Sequence, residues 1–301
     1  MELVDFQKRL SSVHAINVTP FDPRTKAIMW EPLERQIEYL LERGVEIIVP
    51  CGNTGEFYAL TLEEAKAVTK RIVEIVAGRA LVIAGVGYSS DIAIGLGNAA
   101  KAAGVDAILI HHPVHPYVTN GGILRYYQRT IDAVDLPSFV YFKDPNISDE
   151  VLKTLSSNPR LVGVKYAIND LPRFARLVRE VPEEYGVTWI CGTAEQWAPF
   201  FYFAGARGFT SGLVNACPEK SLNLLQALKE QDTEWLWRIW LEILPFEQLR
   251  AKYNAGNNVV VIKEAMNLLG LQAGVPREPA EEISLEDRSI LADILSGWRL
   301  I

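Results

Sequence analysis

A short apolar run, a turn and an amphipathic stretch recur along the first 226 residues, and this alternation constrains the fold more than any other feature of the chain. The runs are Ala15–Val18, Ile47–Pro50, Leu81–Gly85, Ala107–Ile110, Ser138–Tyr141, Leu161–Lys165, Thr188–Cys191 and Gly208–Ser211. They are short and rich in Val and Ile, as parallel strands covered on both faces are. Helical patterns fill the gaps. Glu31-Pro32 opens one with proline in the first turn. Thr61-Leu-Glu-Glu64 opens another with capping-box spacing. Ser90-Asp91, Ser148-Asp149 and Asn169-Asp170 are further N-caps. Glycine stops several helices, in Arg43-Gly44-Val45, Ala103-Gly104-Val105 and Ala204-Gly205-Ala206. "RGVEIIVP" and "AGVDAILI" are two copies of one such junction. Eight strand–helix units close naturally into an α/β (β/α)8 TIM barrel. An open doubly wound sheet is the structural alternative. Nothing like a linker interrupts the units, so one barrel domain is expected over 1–226, with a C-terminal helical extension over 227–301 packed on it.

In the extension, Glu234–Arg250 is amphipathic, with Trp235, Trp237, Trp240, Leu241 and Leu244 near helical spacing. Asn258–Leu269 and Leu285–Leu295 read as helices too. The tryptophans fit core packing, or a subunit interface where aromatics are enriched. Apolar residues make up 49% and charged residues 22% of the chain, a globular composition. With 30 Lys+Arg against 37 Asp+Glu, the net charge of −7 disfavours a nucleic-acid partner. No apolar stretch reaches membrane-span length, so no membrane role is expected. The start, Met1 to Asp5, lacks signal-peptide features. Cys51, Cys191 and Cys217 are too few and too far apart for a disulfide framework, which points to a reducing, cytoplasmic setting.

In a (β/α)8 barrel the reactive residues sit at the C-terminal ends of strands. That rule selects Thr19, the Gly52–Glu56 loop, His111, His112 and His115, Tyr141, Lys165 and Gly192–Glu195. Lys165 closes a buried run. Desolvation there would leave a neutral, nucleophilic amine able to form a Schiff base; otherwise the stem packs and the charge reaches solvent. Tyr141 ends the neighbouring run, as a proton relay or as an ordinary rim tyrosine. Gly52-Asn-Thr-Gly-Glu56 reads as an anion-binding nest or as a tight loop before a helix. The histidines fit no familiar metal-ligand spacing, so no metal is expected, and Cys51 reads as a small apolar residue rather than a nucleophile.

The segments "CGNTGEFYALTLEEA" (51–65), "AGVG" (84–87), "VYFKDPN" (140–146), "LVGVKYAIND" (161–170) and "GFTSGLVNACPE" (208–219) resemble the dihydrodipicolinate synthase/N-acetylneuraminate lyase family over essentially the whole chain. The resemblance implies a class I, Schiff-base lyase acting on pyruvate or another 2-oxo acid, with no cofactor. In it, Lys165 forms the imine, Tyr141 relays protons with help from Thr54, and Gly52, Asn53 and Thr54 hold the 2-oxo-acid carboxylate. Family members are usually homotetramers built as dimers of dimers, so a homotetramer or homodimer is expected. Three departures bear on substrate. The first Thr of the family's loop is Asn53 here. The arginine of the name-giving synthase is missing near Asn146, with only Lys143 as a nearby cation, and its cross-subunit tyrosine would have to be replaced by His115 or Tyr117. The "GEF" version of the loop resembles sugar-acid members. Gly192, Thr193 and Glu195, with Ser211 also in the substrate-binding set, then face a polyhydroxy chain. A keto sugar-acid aldolase or dehydratase, similar to 5-dehydro-4-deoxyglucarate dehydratase, is the first expectation. A true 4-hydroxy-tetrahydrodipicolinate synthase and a non-catalytic 2-oxo-acid-binding barrel are the alternatives.

Overall fold

The computed structural model describes residues 3–301. Eight parallel strands close on themselves in sequence order: β1 (Val13–Ala15), β2 (Ile47–Ile48), β3 (Leu81–Val86), β4 (Ala107–Ile110), β5 (Ser138–Phe142), β6 (Leu161–Tyr166), β7 (Thr188–Cys191) and β8 (Gly208–Ser211). Closure runs through β1 on β8, with Val13 opposite Phe209 and Ala15 opposite Ser211. The expected TIM barrel is therefore present. Strand β1 lies slightly earlier than its apolar run, because the buried His14 interrupts the pattern; its Nε2 sits 2.9 Å from the Leu10 carbonyl oxygen.

The helices α2 (Trp30–Glu42), α3 (Leu62–Val76), α4 (Ser90–Ala103), α5 (Asn120–Val134), α6 (Glu150–Leu155), α7 (Leu171–Glu180), α8 (Ala194–Ala204) and α9 (Pro218–Glu230) follow the strands in turn. Thr61 and Glu64 form the full capping box of α3 and Asp170 caps α7. Ser89, one residue before the expected pair, caps α4. A helix not anticipated from the sequence, α1 (Leu3–Leu10), precedes β1. Its Phe6 and Leu10 join Ile47, Leu81, Ala107 and Phe139 inside the barrel.

Period-2 alternation divides the core. Leu81, Ile83, Leu109, Phe139, Tyr141 and Ile190 point inward, whereas Val82, Ala84, Ile108, Val140 and Cys191 point at the helices. The β5–β6 register skips Val162, a bulge that re-aims the rest of β6. Gly163 then faces in, where a Cβ would lie 2.2 Å from Phe139 Cε1.

Three helices make the extension: α10 (Thr233–Ala255), α11 (Asn258–Leu268) and α12 (Leu285–Gly297). The buried face of α10 is Leu236, Ile239, Ile243 and Phe246, one step around the helix from the face read by its aromatics. Trp235 and Trp240 are half-buried against the core, and Trp237 and Leu241 are exposed. Non-helical backbone at Lys252, Tyr253 and Asn254 turns the chain sharply into α11. No helix among the described residues is long and apolar enough to cross a membrane.

Candidate active site

The bulge in β6 places Lys165 directly across from Tyr141 on the inner face of the barrel. Both are buried, and the Lys165 amine lies 4.4 Å from the centre of the Tyr141 ring. Among the described residues no carboxylate forms an ion pair with Lys165. Burial lowers its pKa to about 8; the Cys191 thiol opposes this slightly and the Lys143 charge adds to it. Burial pushes the Tyr141 phenol up to about 12, while an amide contact from Asn53 pulls it the other way. The phenol therefore stays protonated at neutral pH while a useful fraction of the amine is neutral. The Tyr127 hydroxyl donates to the Tyr141 carbonyl oxygen at 2.8 Å and fixes that strand end.

Lys165 and Tyr141 open onto a cavity of about 290 Å³, also lined by Ile16, Asn53, Thr54, Asn169, Gly192 and Thr193. A space of this size suits a small polar substrate. The loop after β2 supplies Asn53 and Thr54. Its Gly52 does not line the cavity; a Cβ there would lie 2.4 Å from Ile16 Cγ2, so glycine lets the loop settle onto Ile16. The buried Thr19 hydroxyl donates to the Gly55 carbonyl oxygen at 2.8 Å and holds the loop from below. Asn53 Oδ1 is buried and has no hydrogen-bond partner among the described residues.

Gly192, Thr193 and Ser211 line the cavity. The Thr193 hydroxyl donates to Asn169 Oδ1 at 2.9 Å. Glu195 does not reach it. As the second residue of α8 it turns beneath the rim, where its Oε1 accepts from the Ser211 hydroxyl and from Ser221 at 2.6 Å. Burial raises its pKa to about 7, with Glu247 adding repulsion and Arg250 opposing. His115 and Tyr117 also lie away from the cavity, exposed on the loop after β4, with His115 Nδ1 2.6 Å from the Tyr117 carbonyl oxygen.

Sequence reasoning missed Glu247, Arg250 and Asn258, which line the cavity from α10 and α11. The Arg250 guanidinium donates to Glu247 Oε1 at 2.5 Å and to Asn258 Oδ1 at 2.6 Å. Gly212, just after β8, makes room for it; a Cβ there would lie 2.8 Å from Arg250 Nη2. Only the kink in α10, invisible to periodicity, folds Asn258 back beside Arg250.

The three clustered histidines part company. His111 stacks on Phe57 at 4.5 Å, with Nε2 2.8 Å from the Cys51 carbonyl oxygen, and burial lowers it to about 4. Among the described residues no group of three or more His, Cys, Asp or Glu is arranged to hold a metal ion. Burial pushes the Cys51 thiol up to about 12, which leaves it no nucleophilic thiolate at neutral pH.

A model of the dihydrodipicolinate synthetase family matches residues 9–297. The chain is 56% identical to dihydrodipicolinate synthase from Bacillus clausii, whose crystal structure superposes with a TM-score of 0.97 over 98% of this chain and 99% of that one. It is 54% identical to the enzyme of that name from Oceanobacillus iheyensis, with a TM-score of 0.98 over 100% of both chains. It is also 33% identical to a 4-hydroxy-tetrahydrodipicolinate synthase from Methanoculleus marisnigri, over 88% of this chain and 91% of that one.

Proposed function

The chain belongs to the dihydrodipicolinate synthetase family and is a lyase of the class I, Schiff-base type; from that premise we propose that it condenses pyruvate with aspartate semialdehyde, the 4-hydroxy-tetrahydrodipicolinate synthase reaction. The observation that carries the proposal is the buried Lys165 amine, without an ion-pair partner among the described residues, beside the Tyr141 phenol in a cavity walled by Asn53 and Thr54.

Pyruvate places its carboxylate at the Asn53–Thr54 end. Neutral Lys165 attacks the ketone carbon. Tyr141, with Thr54, moves protons to and from the carbinolamine oxygen, and water leaves as the imine forms. The protonated imine draws electrons, so a C3 proton is lost and an enamine results. Its C3 bonds to the aldehyde carbon, and the aldehyde oxygen takes up a proton. The free amine of the same partner then attacks the imine carbon, closes the ring and expels the Lys165 amine.

Two of the premises behind the keto sugar-acid expectation change. Glu195, meant to face a polyol, turns under the rim. A cation thought to be missing enters the cavity as Arg250. The relatives named above carry the synthase name, and they support the condensation reading.

Two assays test it. Borohydride with pyruvate should add a reduced pyruvate to wild type and not to Lys165→Ala; equal labelling of both would end the imine mechanism. Pyruvate with aspartate semialdehyde should give product. Failure there, together with pyruvate or 2-oxoglutarate semialdehyde released from keto sugar acids, would restore the dehydratase reading.

A further inference from the structure

Glu247 and Arg250 are each about nine-tenths or more withdrawn from solvent, at 5% and 6% exposure, yet both line the cavity that holds Lys165. A buried ion pair of this kind adds little stability over apolar residues of the same volume. Packing alone therefore does not explain its presence, and the unused valences of the two side chains suggest a ligand. Guanidinium carries five donors. Three are engaged: Nη1 to Glu247 at 2.5 Å, Nη2 to Asn258 Oδ1 at 2.6 Å and Nε to the Asn258 carbonyl oxygen at 3.4 Å. One N–H on each Nη remains, enough for a two-point contact with a carboxylate. The Glu247 carboxylate uses only Oε1 for Arg250. Asn258 and the clearance over Gly212 hold the guanidinium in place before any ligand arrives.

We infer that Glu247 and Arg250 form a subsite for the zwitterionic end of the aldehyde substrate, Arg250 taking its carboxylate and Glu247 its ammonium group. This rests on the condensation reading of the cavity. Opposite charges side by side match an amino acid, whose own charges sit on one carbon. A simple acid would meet Arg250 but face the Glu247 charge as well, and a polyol would leave both charges unmatched. The subsite also answers the missing arginine near Asn146: the cation comes from the extension instead of the loop after β5. Asn146 itself is exposed and bonded to Asp144 at 3.0 Å.

The test uses full-length enzyme whose Lys165 carries borohydride-reduced pyruvate, titrated calorimetrically with L-homoserine and with 4-hydroxybutyrate. The first is the alcohol of aspartate semialdehyde; the second is the same molecule without the ammonium group. Wild type should bind homoserine at least tenfold more tightly. Glu247→Gln should remove that preference, weakening homoserine while 4-hydroxybutyrate binds at least as tightly as before, since the carboxylate that repelled it is gone. Arg250→Lys, which keeps the charge but loses the fork, should weaken both ligands about tenfold or more. Pyruvate labelling of each variant confirms that its barrel is folded. Equal binding of the two ligands by wild type, no binding of either, or a preference that survives Glu247→Gln would each overturn the subsite. Failure of the condensation reading shows differently: homoserine still binds with the expected preference, but aspartate semialdehyde and pyruvate give no product.

Discussion

Two lysines of this chain are almost wholly buried, each 4.4 Å from an aromatic ring, and burial lowers both to about 8, yet they differ in access and in partners. Lys165 ends a barrel strand, opens onto the cavity and lacks a carboxylate partner among the described residues. Lys263, on α11, sits in the seam between barrel and extension. It is ion-paired with Glu56, donates to the Val275 carbonyl oxygen at 2.9 Å and lies 4.4 Å from the Phe21 ring. Glu56 also accepts from the Arg277 backbone N–H at 2.8 Å, so the seam clamps the far end of the loop that presents Asn53 and Thr54. A low proton affinity alone does not make a nucleophile. Access for a substrate and freedom from an anion do, and only Lys165 has both.

The largest effect should come from removing the reactive amine. Lys165→Ala should lose borohydride labelling with pyruvate and all turnover above background, whereas folded Lys263→Met should still be labelled. Labelling that moved with Lys263 would invert the comparison. Next comes Tyr141→Phe. It keeps the ring beside Lys165 and removes the relay, which should slow imine formation by roughly 10²–10⁴-fold, measured by rapid-quench trapping.

The seam answers to stability rather than to chemistry. Lys263→Met leaves the Glu56 carboxylate buried without its cation, at a cost of about 3–5 kcal/mol. Urea denaturation should show that loss, and the double variant Lys263→Met/Glu56→Gln should recover part of it. A single variant as stable as wild type would mean that the pair is not coupled to folding.

This contrast was only half legible in the sequence. Strand ends at Ile110, Cys191 and Ser211 were read to the residue, because Val- and Ile-rich runs bounded by turns have few alternative readings. Lys165 and Tyr141 stood out because a charge and a phenol close apolar runs that alternation turns inward. The seam did not, since Glu56, Lys263 and Arg277 are brought together by packing across more than 200 residues of chain. Glu247 and Arg250 were hidden for a related reason. The aromatics of α10 drew attention to Trp235, Trp237 and Trp240, while its buried face is Leu236, Ile239, Ile243 and Phe246. Glu195 was misplaced because one turn of helix separates facing a cavity from facing the core beneath it.

pH offers a gentler probe. The groups around Lys165 titrate far from neutrality: His14 and His111 at about 4, Tyr141 and Cys191 at about 12. Glu195, raised to about 7 mainly by burial, accepts from the Ser211 hydroxyl, and its charge does not contribute to the Lys165 shift. The neutral fraction of Lys165 therefore rises about tenfold per pH unit below its pKa and levels off above it. The rate of pyruvate imine formation should climb from pH 5 to 7 and flatten past about 8. A flat profile over that range would mean that the amine is not the titrating group.

The smallest effect separates burial from charge as the cause of that low pKa. The charge of Lys143 lowers Lys165 in the same direction as burial, but the Lys143 side chain is exposed. Solvent and salt screen an exposed charge strongly. Lys143→Met should move the midpoint of the pH–rate profile upward, because a repelling cation is gone, by about half a unit or less. The displacement should shrink further in 0.5 M salt, at roughly a 4–5 Å screening length. Were the midpoint instead to rise by two units, toward that of an ordinary lysine, the barrel interior would not be what holds the amine neutral. Lys165 would then owe its neutrality to a charged neighbour, as Lys263 in part does through Arg277 and Lys26, and not to its place in the fold.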